Sequence, residues 1–547
     1  MFSYPEHQRE HPITTAKVVL MLALCAVWMF TGLVGHDPWE PYEAYGFGLI
    51  YSMLHLGDWL VPSLAGMPAM DKPPLFYWTA ALFAEMLAPW LPLHDGARFA
   101  SAFYTGVTLL FTGLAGRELF GKGRGWAAVI ILIGCLGMLV RSHQLITDLA
   151  LVSGCAMMLY GYTLILRHSS KAPLWIGTGV GIGFMAKGFI APILFVFISL
   201  GLLLFQVWRN QHYRRTLMWA LLFALPWLTI WPLLLYLRSP QLFIEWAWTL
   251  NIGRWFEYAG SGDYRDAFYY VRILPWFAWP ALPLATWAVW EARRKVLVEP
   301  EFQLPLVAFV VMLLTLSIVP NIKEVFALPI LVPLTLLATA SLATLRRGAA
   351  NALDWFGIMT FGFIAILLWW GWAGLLLDNH SKITFWLKEY HPGYQPSVQE
   401  ASFWIAAAST VLWIAFIWRV GRSIRRAVVN WAAGVTLLWI LAMTLWLPWL
   451  DTGKSYRSAV MDLKAHLPAQ YHCIAGANLD DVHRAMLQYF GDITPRYNIT
   501  DDCDLWLAQG SAVIPSGPKD KWELIWDGGR NADLNRHLWL YRKVAKR

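Results

Sequence analysis

The chain has 547 residues, of which 58% are hydrophobic and only 14% charged, and it carries 34 tryptophans. Uncharged apolar runs of about 18 residues or more recur along it, which marks an integral membrane protein and excludes a soluble fold. The formal net charge of +8 comes from short Lys/Arg clusters between apolar runs, the pattern of cytoplasmic loops, so nucleic acid is excluded as a partner.

In chain order, the first apolar run, 18–35, is longer than the core of a secretory signal and lacks a small-residue cleavage site after it. It is expected to remain as a spanning helix. The polar stretch "HDPWEPYEAY", 36–45, then opens a large first outer loop, 36–97, and brings Asp37, Glu40 and Glu43 to the end of that helix. Further along the loop, "AGMPAMDKPPLFYW" sets Asp71 and Lys72 before two prolines. Proline restricts the backbone on both sides, so an acid and a cation are held in fixed relation. The bland alternative is a snorkelling Lys72 and a helix-capping Asp71. The apolar run 73–92 would reverse the side of every later basic cluster if it crossed alone, so a re-entrant or interfacial helix is expected there.

Twelve more apolar segments follow, near 99–116, 125–140, 149–166, 172–186, 188–207, 216–237, 271–290, 303–319, 324–345, 352–377, 402–418 and 428–449. With the N-terminus in the cytoplasm, these thirteen spans leave the clusters around Arg117, Arg167, Arg214, Arg293, Arg346 and Arg425 on the cytoplasmic side, as the positive-inside rule requires. Asp37, Glu43, Asp71, Lys72, Asp148, Lys187, Arg254 and Lys323 then all stand at or near outer helix ends, where charges mark sites by default. Asp148 follows the outer loop "RSHQLIT", and an N-cap accounts for it as well as a catalytic role does. Lys187, in "GIGFMAKGFIAP", is the only charge between 173 and 205 and is read as an anion ligand at a tight outer turn. Lys323 and Glu324 occupy a similar turn and fit a solvated pair equally. Arg254 lies in the aromatic loop 238–270, as a phosphate fork or an interfacial arginine.

The tail, 451–547, is polar, with strand-like "HCIAGA", "CDLWLA", "WELIWD" and "LWLYRKV" and helix-like "SAVMDLKAHL" and "DDVHRAMLQYF". A small outer α/β domain is expected after an all-α polytopic membrane domain, 1–450. Cys25, Cys135 and Cys155 lie in apolar runs as core residues. Cys473 and Cys503 start two strands, where an oxidising compartment permits a disulfide and two buried thiols fit as well.

The motifs "WEPYEAY", "GDWLVPSLAGMPAMDKPPLFYW", "RFASA", "ITD" at 146–148, "GFMAKG" and "KEVFALP" resemble those of the polytopic glycosyltransferases that use a polyprenyl-phosphate sugar donor. These are the protein O-mannosyltransferase and lipid A aminoarabinose transferase superfamily, of GT-C fold. The second motif is specific, and the resemblance covers essentially the whole chain. It implies an inverting transfer of a sugar from an undecaprenyl-phosphate-type carrier to a lipid A-like, glycan or protein acceptor. The site would face the periplasm from a bacterial inner membrane, in a monomer with a cytoplasmic N-terminus and a periplasmic tail. Lys72, with Lys187, Arg254 and Lys323, is implied to neutralise the leaving phosphate, and a carboxylate among Glu43, Asp37, Asp148 and Asp71 to take the acceptor's proton.

Three departures from the family pattern stand out. Tyr42 occupies the position of the family's aspartate, which leaves Glu43 and Asp37 as the expected bases. Phe326 stands where the family often has a tyrosine, and "AGSGDYRDAF" lacks a histidine common in that loop. No cofactor is expected to be required and no metal, since 36–71 holds no closely spaced D-x-D pair. Two other readings stay open: a lipid-linked anion transporter, which predicts charges and broken helices at the midplane, and a non-catalytic or attenuated relative that binds a lipid carrier.

Overall fold

The computed structural model describes residues 14–253, 266, 268–318, 322–377, 381–391, 394–419, 424–497, 503–510, 522–530 and 537–544. All thirteen apolar segments carry helix. Among the described residues, eight helices are long and apolar enough to cross a membrane, so the chain is a multi-pass membrane protein, but the expected thirteen continuous spans are not all present. Two segments are interrupted. Helix α5 (Arg124–Gly134) stops at Cys135 before α6 (Leu136–Arg141), and Tyr269–Phe277 is separated from Ala281–Glu291 by Ala278–Pro280. The breaks lie against each other: Leu136 N–H donates to Trp279 O at 3.3 Å, and Trp431 Nε1 donates to Gly134 O at 2.9 Å. Backbone groups freed from a helix at membrane depth need such partners, because lipid offers none.

Helix α7 (Asp148–Leu166) is the centre of the bundle, with 89% of its apolar window buried. It lies between α4 (Leu93–Phe120) and α8 (Ala172–Lys187). A methyl group added at Gly154 would sit 2.5 Å from Gly179 O, so α7 and α8 meet backbone to backbone. Small residues allow this close packing in membranes. The consequence is positional: Asp148 at the start of α7 and Lys187 at the end of the antiparallel α8 come together.

The first loop is structured throughout. Helix α2 (Tyr42–Leu56) ends at Gly57 in the left-handed region (φ 72°). Asp58 Oδ1 accepts from the N–H groups of Leu60 and Val61 at 3.0 and 3.1 Å, a local turn that Asp side chains form readily. A two-stranded hairpin follows, β1 (Ser63–Leu64) with β2 (Met67–Pro68), turned by Ala65 and Gly66 at φ 47° and 86°. Two positive-φ residues suit the twist of a two-residue hairpin. Asp71, Lys72 and the two prolines then lead into α3 (Leu75–Leu87), 13 residues long. At 1.5 Å per residue that is roughly 20 Å, short of a crossing. It packs on α4 through Ala84, which stands 3.0 Å from where a Cβ would lie at Gly96.

Beyond residue 450 the described residues form a four-stranded sheet in the order β3 (Ile474–Ala477), β4 (Leu505–Gly510), β6 (His537–Lys543), β5 (Trp522–Gly529), in which β3 and β4 pair parallel and the other two pairs are antiparallel. A disulfide joins Cys473 to Cys503 at the head of the parallel pair, across a sequence separation of 30. The sheet's helix Asp481–Met486 docks on α2, where Ala485 Cβ stands 2.4 Å from a Cβ position at Gly48. The acidic first loop completes the junction. Asp37 pairs with Arg457 and accepts from Ser455 Oγ at 2.6 Å, while Glu40 meets Arg530 Nη2 at 2.8 Å and Tyr456 OH at 2.7 Å.

Loss of the disulfide, by Cys473→Ala with Cys503→Ala, should lower the stability of the sheet by up to about 3.7 kcal/mol, the loop-closure contribution for a sequence separation of 30. Hydrogen exchange of β3 and β4 measures it, and unchanged protection would remove the bond's structural role.

Candidate functional site

The residues singled out in the sequence converge only in part. Four cations, Lys72, Arg141, Lys187 and Lys323, gather at one end of the bundle with the carboxylates Asp71, Asp148 and Glu324. Lys187 is paired with Asp148, both deeply buried, and its charge interacts next with Lys72 and Lys323. Helix α7 has Thr147 as its N-cap and no side-chain cap bond. Asp148 is therefore the first helical residue, and its carboxylate is turned to Lys187. An anion there is favoured by the helix N-terminus as well.

Lys187 Nζ also lies 3.7 Å from the centroid of the Phe326 ring. Where the family pattern often has a hydroxyl, this chain offers an aromatic face, and a cation over such a face is stabilised by about 0.5–2 kcal/mol. Arg141, at the end of α6, meets Glu324 Oε1 at 3.5 Å and Gln144 Oε1 at 3.0 Å. Lys72 stands 3.8 Å from Asp71 Oδ2, and Asp71 Oδ1 accepts from Tyr45 OH at 2.9 Å.

Tyr42 lies in the middle of this group. Arg141 Cζ is 5.2 Å and Lys323 Nζ 5.9 Å from its ring centroid, and Asp148 and Glu324 act on its hydroxyl electrostatically. Tyr42 and Tyr45, three residues apart on α2, share one face and both turn to the pocket. Neighbouring residues on a helix do not share a face.

For that reason Glu43, expected as a base, points elsewhere. It is fully buried at 0% exposure, with Arg98 Nε at 3.0 Å from Oε1 and Trp39 N–H at 3.2 Å from Oε2. Burial raises its pKa, but Arg98 more than offsets this and keeps the carboxyl below the usual range. Arg98, also 0% exposed, further bonds Asp95 Oδ1 at 2.7 Å and the carbonyls of His36 and Asp37 at 3.0 and 2.9 Å. It is the first residue of "RFASA", and it organises the loop 36–43. Asp37, the other expected base, is committed to Arg457 and Ser455, which outweigh burial and hold its carboxyl low. Glu43 is thus engaged by Arg98 within the first loop and its neighbouring helix, and Asp37 by the tail. Arg254 lies outside the described residues.

Arg141 and Tyr45 are pocket residues that the sequence reading passed over. Arg141 was legible in principle as a cation at the outer end of an apolar segment. Tyr45 gave no signal beyond its place one helical turn after Tyr42.

Residues 71–236 match the family described as dolichyl-phosphate-mannose-protein mannosyltransferase. A protein of Sodalis glossinidius (strain morsitans), undecaprenyl phosphate-alpha-4-amino-4-deoxy-L-arabinose arabinosyl transferase 1, is 31% identical over 344 residues, 59% of this chain and 58% of that protein. The transferase of the same description from Pseudomonas savastanoi pv. phaseolicola is 27% identical over 64% of this chain and 66% of its own. The chain thus spans about three fifths of the length of these curated relatives. The crystal structure of ArnT from Cupriavidus metallidurans bound to undecaprenyl phosphate superposes with a TM-score of 0.69 at 17% identity, covering 96% of this chain and 98% of that one. The chain is a multi-pass membrane protein whose fold is that of this ArnT structure, a helical bundle followed by a small sheet domain.

Arg98→Met would leave the Glu43 carboxylate buried without its counter-ion, and the expected cost is about 3–5 kcal/mol. Thermal unfolding of the detergent-solubilised chain reads it; an unchanged midpoint would release Glu43 from its structural assignment.

Proposed function

We propose that the chain is an inverting glycosyltransferase that moves a sugar from a polyprenyl-phosphate donor to an acceptor at the periplasmic surface of the inner membrane. The observation that carries this reading is the gathering of Lys72, Arg141, Lys187 and Lys323 in one pocket at the outer ends of α6 and α8. Four cations against three carboxylates leave one net positive charge, matched to a phosphodiester. When the sugar departs, the phosphate gains a second negative charge, and fixed cations at that point stabilise the transition state more than the ground state. The matched relatives carry undecaprenyl phosphate in their names, which supports a carrier of that kind as the donor. The positive-inside arrangement supports a periplasmic pocket and tail, as does the Cys473–Cys503 disulfide, which suits an oxidising compartment.

The pairing suggests an order of events. Before the donor arrives, each carboxylate neutralises a cation. A donor phosphate drawn to Lys187 and Lys72 competes for those cations and frees Asp148. The acceptor oxygen then attacks the sugar's anomeric carbon opposite the phosphate, the carbon–oxygen bond to phosphate breaks, and Asp148 takes the acceptor's proton. Asp148 is placed first among the acids because it is the carboxylate paired with Lys187, the most buried cation of the group, and so the one that a phosphate at Lys187 would free. No step in this scheme requires a metal.

Lys72→Ala and Asp148→Asn should each lower transfer by about 100-fold or more, measured with an undecaprenyl-phosphate sugar in proteoliposomes. Donor KM should rise in the first and hold or fall in the second. Full activity in both correctly inserted variants would defeat the proposal. Tyr42→Asp should raise the rate by adding a second carboxylate between Arg141 and Lys323; an unchanged rate would show that Asp148 carries the proton transfer alone.

A further inference from the structure

A second hollow of about 700 Å³ opens at the other end of the helices, between α1 (Thr15–Phe30), α4 and α5. Leu22, Cys25 and Met29 of α1 face Gly106 and Leu110 of α4 across it, and Arg117, Lys122 and Trp126 stand at its mouth. The mouth is on the side that the charge rule assigns to the cytoplasm.

Three observations show that the hollow is built into the packing. Helix α1 has one buried residue, Trp28, near its outer end, whereas Val19, Leu20 and Leu22 are 59%, 52% and 53% exposed. The cytoplasmic part of α1 therefore meets the bundle along one edge only, through Met21, Leu24 and Cys25. On the facing helix, glycine keeps the wall low: a methyl group at Gly106 would meet only Met29 Sδ, at 3.6 Å. At the mouth, Lys122 is carried on a turn between Gly121 and Gly123, whose φ of 96° and 91° belong to glycine, and it is exposed. Arg117 is half exposed, its nearest carboxylate Glu118 at 4.0 Å.

We propose that this groove binds one anionic phospholipid of the cytoplasmic leaflet, its phosphate between Arg117 and Lys122 and an acyl chain along α1. An apolar slot with a basic mouth between spanning helices complements a negatively charged lipid headgroup. Its length selects the occupant. From Arg117 to Gly106 the rise is roughly 17 Å, about half of the ~30 Å hydrocarbon core, which is the depth of one leaflet. An acyl chain fits that depth, whereas a long polyprenyl chain exceeds it. The bound lipid would splint α1, the helix that leads directly into the loop carrying Tyr42, and the proposal is independent of the transfer reaction.

Native mass spectrometry of the full chain in detergent, titrated with dioleoylphosphatidylglycerol or dioleoylphosphatidylcholine, tests it. One phosphatidylglycerol should bind in preference to phosphatidylcholine. Arg117→Gln with Lys122→Gln should weaken that binding about thirtyfold, at roughly fivefold per basic residue. Gly106→Leu, which fills the slot and leaves the charges in place, should weaken it too, and Arg214→Gln with Arg215→Gln, at another cytoplasmic turn, should not. Equal binding of the two lipids, or full binding by both groove variants, would overturn the proposal. Displacement of phosphatidylglycerol by an equimolar amount of undecaprenyl phosphate would overturn it as well, in favour of a carrier site.

Discussion

Several like charges can share a pocket at the edge of a bilayer only if most of them are neutralised nearby, and this constraint shapes the outer end of the molecule. Lys187 has Asp148, Arg141 has Glu324 and Lys72 has Asp71. The first pair is the most buried, and the backbone contact of α7 with α8 at Gly154 and Gly179 brings its two members together. Removing one partner of such a pair is far more costly than either is worth alone. In the proposed reaction the cations are stored in these pairs until a lipid-borne phosphate takes them over.

Helix α2 divides two tasks between its faces. Tyr42 and Tyr45 line the pocket, while Glu43, one position on, is locked to Arg98. The same Arg98 gathers the carbonyls of His36 and Asp37, and Asp37 and Glu40 reach the tail through Arg457 and Arg530. Of the acids that follow the first apolar run, Asp37 and Glu40 thus tie the loop to the tail, while Glu43 ties α2 to Arg98. An acid cannot replace a missing catalytic neighbour by being adjacent in sequence, because a helix turns adjacent side chains about 100° apart.

Much of this was legible from the chain. Hydropathy and basic clusters located the thirteen apolar helical segments but not α2, whose polar start hid it, and "GDWLVPSLAGMPAMDKPP" pointed to Asp71 and Lys72, while lone charges at outer turns pointed to Asp148, Lys187 and Lys323. What pattern could not supply was the partner of each charge. Glu43 looked free because its counter-ion, Arg98, is 55 residues away, and Asp37 looked free because Arg457 is 420 residues away. Arg141 was overlooked because its neighbours Glu324 and Tyr42 come from other segments. The broken helices were read as continuous because apolar composition persists across Cys135 and Trp279, and only the tertiary contact between the breaks makes them possible.

The most direct measurement is a cryo-electron microscopy structure of the full chain in lipid nanodiscs with undecaprenyl phosphate. The phosphate should lie within about 3 Å of the Lys72 and Lys187 ammonium groups, with Lys187 drawn away from Asp148. Phosphate density outside this pocket, with the Lys187–Asp148 pair undisturbed, would contradict the account.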